Sequence, residues 1–299
     1  MTSILKAQEF GKLFELARKA CTSSPATNLI LSLESELPVS QDPFLASYAV
    51  KAAHWQAKKR PDHLIFNHGE YMHRYGDSLE FLATEFKRKP TGNRACISLV
   101  DMRDIIDSKD GRLPSFLFVQ ASVENEKPAT LLLTAYYRAL EVGSFLPINF
   151  AELALIADRL QVEVPSLNRI ELTIHAFRAH YAPGYRPHER SQLDMMGDSE
   201  IRISVNAKEY GKVAGWLNDK ARSETIIEIS GLAILLDSIT AAKWDTDIVQ
   251  ELTFALSDAT RLKTMRENAS HAPGITGLQK QYSGRLRGVA SSIQRLDKK

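Results

Sequence analysis

The chain has 299 residues, 44% of them hydrophobic and 25% charged, which is enough to bury a large core in one main domain with an appendage. A formal net charge of +2 is too small to argue by itself for a nucleic-acid or membrane partner. Two cysteines, Cys21 and Cys96, exclude a disulfide framework and a cysteine-rich zinc site, and they fit reduced thiols in a cytoplasmic protein.

The opening MTSILKAQEF lacks the basic start and apolar run of a signal peptide. Residues 3–21 place Phe10, Leu13, Phe14, Ala17 and Cys21 at helical spacing, which predicts one helix. After the turn at Ser23-Ser24-Pro25, the run Asn28–Leu33 reads as a strand. Residues 43–60 read as a helix bounded by Pro61, and residues 78–89 as an amphipathic helix capped by Asp77 or Ser78. Leu79, Leu82 and Phe86 line its buried face.

A strand-rich centre follows. Ala95–Val100 is a predicted strand, and Ser115–Val123 faces Thr130–Tyr137 across the polar loop Glu124–Pro128. Ile148–Leu160 reads as a strongly apolar helix and Ile170–Phe177 as another strand. Turn-forming residues crowd 181–199, so the main domain is predicted to span residues 1–200, with residues 201–299 a helical module. Within that module 206–218, 224–240, 245–267 and 275–296 read as helices. Nine basic residues (Arg261, Lys263, Arg266, Lys280, Arg285, Arg287, Arg295, Lys298, Lys299) stand against Glu267 and Asp297. They form a solvated face in the plainest reading, and a nucleic-acid or acidic-partner surface in the alternative. No apolar stretch exceeds strand length, so no membrane span is expected.

The dinucleotide, P-loop and zincin signatures are absent, as is a G-x-S-x-G nucleophile turn. His63, His68 and His73 are five apart, which is neither one helix face nor a ligand cluster; they read as surface or loop histidines, and no metal site is expected.

Four blocks remain, in order: RACISLVDM (94–102), RLPSFLFVQA (112–121), AYYRALEVGSFLPINFAEL (135–153) and IHAFRAHY (174–181). Their order and spacing resemble the core of the thymidylate synthase superfamily over residues 70–181. Pro114-Ser115-Phe116 with Gln120 stands where that family has Pro-Cys-His with a Gln five residues after the Cys. Arg138 stands at the next strand's Arg, and Asn149 follows it by 11 residues, preceded by Pro147. His175-Ala176-Phe177 stands at a His-x-Tyr pair, Tyr75-Gly76 resembles an upstream Tyr-Gly, and Arg94 matches a phosphate-gripping Arg supplied across the subunit interface.

The resemblance implies an α+β fold with a mixed sheet and flanking helices, followed by a helical C-terminal extension. It further implies a homodimer binding a pyrimidine nucleotide through Arg94, Gln120, Arg138, Asn149 and His175. Arginine offers bidentate bonds to phosphate, and asparagine offers a donor and an acceptor to a pyrimidine edge.

The chemistry does not carry over with the scaffold. The family's thiolate adds to C6 of the base, and the hydroxyl of Ser115 is a far poorer nucleophile for that step. Phe116 replaces the neighbouring His, Phe177 the Tyr, Ala139 the Ser and Glu141 the Asp; no phosphate loop or folate-closing tail is recognisable. The expectation is a thymidylate-synthase-like pseudoenzyme that binds a nucleotide or a protein partner, the latter through its C-terminal helices, with no cofactor. The alternative is an active pyrimidine C5 transferase using methylenetetrahydrofolate by a cysteine-free route.

Overall fold

The computed structural model describes residues 3–108, 113–124, 129–182, 186, 188–222, 226–268 and 274–297. The chain divides into two units, 1–61 with 66–183 and 62–65 with 184–299.

In the first unit the elements run β1 (Ser3–Ala7), α1 (Phe10–Thr22), β2 (Ala26–Glu36), α2 (Pro43–Ala46), α3 (Ala49–Gln56), α4 (Gly69–Met72) and α5 (Ser78–Arg88). They continue with β3 (Cys96–Ser98), α6 (Met102–Ser108), β4 (Phe116–Glu124), β5 (Ala129–Tyr137), β6 (Leu140–Glu141), α7 (Leu146–Glu163) and β7 (Leu167–His180). The strands form one mixed sheet in the order β1-β2-β7-β5-β4-β3, with β6 paired to β7. β2 runs antiparallel to β7, β7 parallel to β5, and β5 antiparallel to β4.

Strand alternation gives this sheet two unlike faces. Leu29, Leu31 and Leu33 of β2, Leu172 and Ile174 of β7, and Leu131, Leu133 and Ala135 of β5 are all buried. Helices α1 and α7 pack there, with the Phe10 and Phe150 rings 5.2 Å apart. α7 is apolar nearly all round its first three turns, as befits a helix enclosed on every side. The opposite face holds Ile30, Thr173, His175, Phe177, Thr134, Tyr136, Phe118 and Gln120, half-buried or exposed. The architecture is thus α+β, a mixed open sheet with flanking helices.

Several predicted boundaries move. Residues 3–7 are not the start of the first helix: they pair in parallel with β2, Ser3 against Leu29 and Ala7 against Leu33. Helical spacing begins only at Phe10, so the apolar residues before it were free to follow the strand period. The helix predicted over 43–60 is cut at Ser47–Tyr48 and ends at Gln56. The Asn67 amide ends it from a distance, donating to the carbonyls of Ala57 (2.7 Å) and His54 (3.3 Å). The hairpin between β4 and β5 is antiparallel as expected; residues 125–128 of its loop lie outside the described residues.

The second unit contains only helices among its described elements: α8 (Gln192–Met195), α9 (Asp198–Asn206), α10 (Tyr210–Lys220), α11 (Ser230–Ala241), α12 (Thr246–Asn268) and α13 (Ile275–Leu296). The helix predicted over 206–218 is α10, which begins at Tyr210; α9 before it, ending at Asn206, was not expected. Lys208 between them has φ +56°, a left-handed conformation that a continuous helix does not allow. The helix predicted from 224 begins at Ser230. Leu217, Leu235, Leu252, Tyr282, Leu286 and Ile293 lie at the centre of its core. Residues 62–65 join this unit through the Ile65 N–H to the His188 carbonyl and the Arg190 N–H to the His63 carbonyl, both 2.8 Å. Its interior also holds two ion pairs, Lys220 with Asp194 and Arg186 with Asp219. On the basic C-terminal helices, Arg285 pairs with Asp258 (2.8 Å) and Glu251 (3.0 Å), and Lys263 with Glu267. Lys298 and Lys299 lie outside the described residues. Among the described residues no helix is long and apolar enough to cross a membrane.

Candidate functional site

The ends of β4 and β5 bring Ser115 and Arg138 together. One rung beyond the Phe116–Tyr137 pair, the Arg138 N–H donates to the Ser115 carbonyl at 2.9 Å. The guanidinium of Arg138 turns onto the same segment: Nη2 donates to the Leu113 carbonyl (2.7 Å) and Nε to the Pro114 carbonyl (3.1 Å). In this arrangement it braces the chain entering β4. Ser115 is half-buried, and no described histidine or carboxylate hydrogen-bonds its hydroxyl.

Beneath them lies a buried cluster. The rings of Phe116 and Tyr137 stack with centroids 4.9 Å apart and 12° between planes. The Phe116 ring meets the His68 ring edge-on at 5.5 Å, and Trp55 meets His68 at 4.8 Å. His68 Nδ1 in turn lies 2.9 and 3.0 Å from the two carboxylate oxygens of Glu152 on α7. His68 is 3% exposed and Glu152 is 0% exposed. His68 does lie in the loop before α4, but it is a buried residue and not a surface one. A five-residue spacing says nothing about a partner 84 positions away.

Local chemistry fixes both halves of the pair. His68 opens α4, and the residue after it must be glycine: a Cβ on Gly69 would stand 2.1 Å from the Ala57 carbonyl oxygen. Asn67 accepts the Glu70 N–H while its amide holds the end of α3. On the other side, the Gln56 amide donates to the backbone carbonyl of Glu152 at 2.9 Å. The turn into α7 is built around Glu141, whose carboxylate accepts the N–H groups of Gly143 (2.7 Å), Ser144 (2.6 Å) and Ala182 (3.0 Å). Pro147 then sits in the first turn of the helix, where its missing N–H is harmless.

Burial raises the Glu152 carboxyl above its ordinary value, and His68 partly opposes that rise by its charge and hydrogen bond. Burial also raises the Tyr137 phenol, with the charge of Glu152 adding to the effect. One turn before Glu152, Asn149 is 3% exposed, and its Oδ1 meets no donor among the described residues. The Tyr137 hydroxyl likewise has no partner there. The cluster holds a buried His68–Glu152 hydrogen bond and two unmatched polar atoms, and its members are enclosed.

The other residues singled out in the sequence lie elsewhere. Gln120 and His175 project from the open face of the sheet, where His175 packs on Tyr136 at 5.3 Å. The Gln120 amide donates to the Asn93 carbonyl at 2.8 Å, and the neighbouring Arg94 is exposed just before β3. Asn149 lies under the buried face. Alternation along β4 and β7 thus sends Gln120 and His175 away from Asn149, and the five residues do not converge on one cavity among the described residues.

Sequence reasoning missed His68, Glu152 and Tyr137. One signal was available. Glu152 stands inside the apolar run Ile148–Leu160, and a carboxylate enclosed there needs a partner.

No protein-family model matches the chain, and no curated protein matches it.

Proposed function

We propose that this protein is a thymidylate-synthase-like homodimer that does not carry out methyl transfer and acts through assembly, its two copies joined by the open faces of their sheets. The observation that carries this is the apolar content of that face. Ile4 is 57% exposed, Tyr136 43% and Phe177 60%, and Ile30, Leu132 and Phe118 on the same face are half-buried. Several large apolar side chains exposed on one face mark an interaction site. A sheet face presented twice about a two-fold axis gives a self-complementary interface.

The loss of chemistry rests on Ser115 and its surroundings. The hydroxyl has no described base, and it is the ring of the next residue, Phe116, that packs against His68. Arg138, the side chain best placed to grip an anion, is hydrogen-bonded to the Leu113 and Pro114 carbonyls. Sedimentation equilibrium over a wide concentration range tests the assembly. A dimer mass is expected, and a monomer at every concentration overturns the proposal.

A second reading, a pyrimidine-nucleotide site at Ser115, Arg138 and Asn149, is favoured by the unmatched Asn149 Oδ1 and Tyr137 hydroxyl. A buried polar atom without a partner carries a penalty that a bound base would remove. Calorimetry with pyrimidine mono- and triphosphates tests it; absence of binding for all of them rules it out.

A further inference from the structure

The sheet has an end that no described strand covers. β3 pairs with β4 through Ile97 and its neighbours two residues on either side. The Leu99 N–H donates to the Leu117 carbonyl, and the Ala121 N–H to the Ala95 carbonyl, both inside the ladder. In an antiparallel ladder the intervening residues turn their backbone groups the other way. The N–H and C=O groups of Cys96 and Ser98 therefore face outward, and no described residue pairs with them. Natural sheets usually cover or charge such an edge.

Alongside this edge lies a cleft of about 390 Å³ lined by Tyr75, Gly76, Asp77, Ser78, Phe81 and residues 96–98. Tyr75 is 80% exposed and Phe81 54% exposed. The Tyr75 hydroxyl donates to Asp101 at 3.2 Å and the Arg74 guanidinium lies over its ring, so Phe81 is the aromatic face this lining offers to a ligand. Asp77 is the one charged residue of the lining. Its carboxylate caps α5 by accepting the Leu79 and Glu80 N–H groups, its Oδ2 lies 3.7 Å from His73 Nδ1, and it is still 53% exposed.

We propose that this edge and cleft form a docking site for an extended peptide segment that carries a basic side chain. The peptide adds as a short strand to β3, exchanging backbone hydrogen bonds with Cys96 and Ser98. Its arginine or lysine enters the cleft against the Phe81 ring and beside Asp77. Edge addition supplies affinity through the backbone, and the pocket selects the side chain. An acid beside an aromatic face suits a cation and repels an anion.

The test uses the full chain and a fluorescein-labelled heptapeptide of β-branched residues with one central arginine, read by fluorescence anisotropy. Saturable binding is expected, at least about tenfold tighter than for the same peptide with a central glutamate. Ser98→Pro removes one outward N–H while leaving the ladder to β4 intact, because proline is tolerated at an edge position of this kind. It should weaken binding about tenfold. Asp77→Ser keeps a helix cap but removes the charge, and it should abolish the preference for arginine over glutamate. Phe81→Lys changes an exposed side chain, so it decides the matter if Ser98→Pro fails to fold; it too should weaken binding of the arginine peptide. Absence of saturable binding up to about 1 mM, or equal binding by wild type and the folded variants, overturns the proposal.

Discussion

The Nδ1 of His68 lies 2.9 Å from one carboxylate oxygen of Glu152, and this pair is enclosed by the rings of Trp55, Phe66 and Phe116. It is a polar link between the segment that opens α4 and the enclosed helix α7. A buried pair of this kind contributes little net stability compared with a well-packed apolar pair, yet breaking it from one side is costly. His68→Ala leaves Glu152 without its partner, and chemical denaturation should show a loss of about 3–5 kcal/mol.

The same pair sets a pH dependence. The Glu152 carboxyl is raised from 4.5 by burial, so the native state holds its proton to higher pH than the unfolded chain does. Its contribution to stability is complete below 4.5 and is lost as pH rises through the raised native value. Glu152→Gln cannot titrate. Thermal melts across a pH series should show the wild type losing stability relative to Glu152→Gln as pH rises. Parallel curves would refute the assignment.

Lys220 and Asp194 form a second enclosed pair, in the helical unit, with side-chain exposures of 0% and 1%. Ser191 shares the carboxylate, its hydroxyl 2.5 Å from Asp194 Oδ2. Lys220→Met strands the carboxylate and should cost about 3–5 kcal/mol in urea denaturation. Adding Asp194→Leu should recover most of that loss, since an apolar pair needs no compensation.

On the open sheet face, Tyr136 lies between His175 and Phe118, and Phe177 stands one strand position further along β7. Substituting both Tyr136→Lys and Phe177→Lys places like charges in the proposed two-fold interface. Light scattering should show the dimer converted to monomer at micromolar concentration, with the circular dichroism spectrum unchanged. A persistent dimer would place the interface elsewhere.

Ser115→Cys restores the nucleophile that the resemblance calls for. It should still release no tritium from C5-labelled dUMP in the presence of methylenetetrahydrofolate. Arg138 remains bonded to Leu113 and Pro114, and Asn149 remains enclosed, so a thiol alone does not assemble a site. Release above the level of the Ser115→Ala control would show that the rest of the machinery is intact.

The strands after Ala95 were legible because each alternates in a sheet with one buried face. Val119 and Ala121 go inward while Gln120 goes out, and Ile174 and Ala176 go inward while His175 goes out. That pattern also contained the separation of Gln120 and His175 from Asn149, since alternate residues cannot share a face. β1 was not legible. Five residues with mixed character take the strand form only because β2 lies beside them to be paired. The end of α3 at Gln56 was hidden for a similar reason. The amide at the end of α3, Asn67 against Ala57, comes from another segment.

The sequence by itself determined which apolar faces of the strands and helices turn inside, because solvent exclusion follows the local period of each element. It also determined that position 115 carries an alcohol in place of a thiol. Only the tertiary structure decided which polar groups meet: Glu152 with His68, Arg138 with two backbone carbonyls, Lys220 with Asp194. The reason is physical. Periodicity requires a buried face and no particular partner on it. A buried charge requires a specific partner at hydrogen-bond distance, and chain topology supplies that partner from tens of residues away.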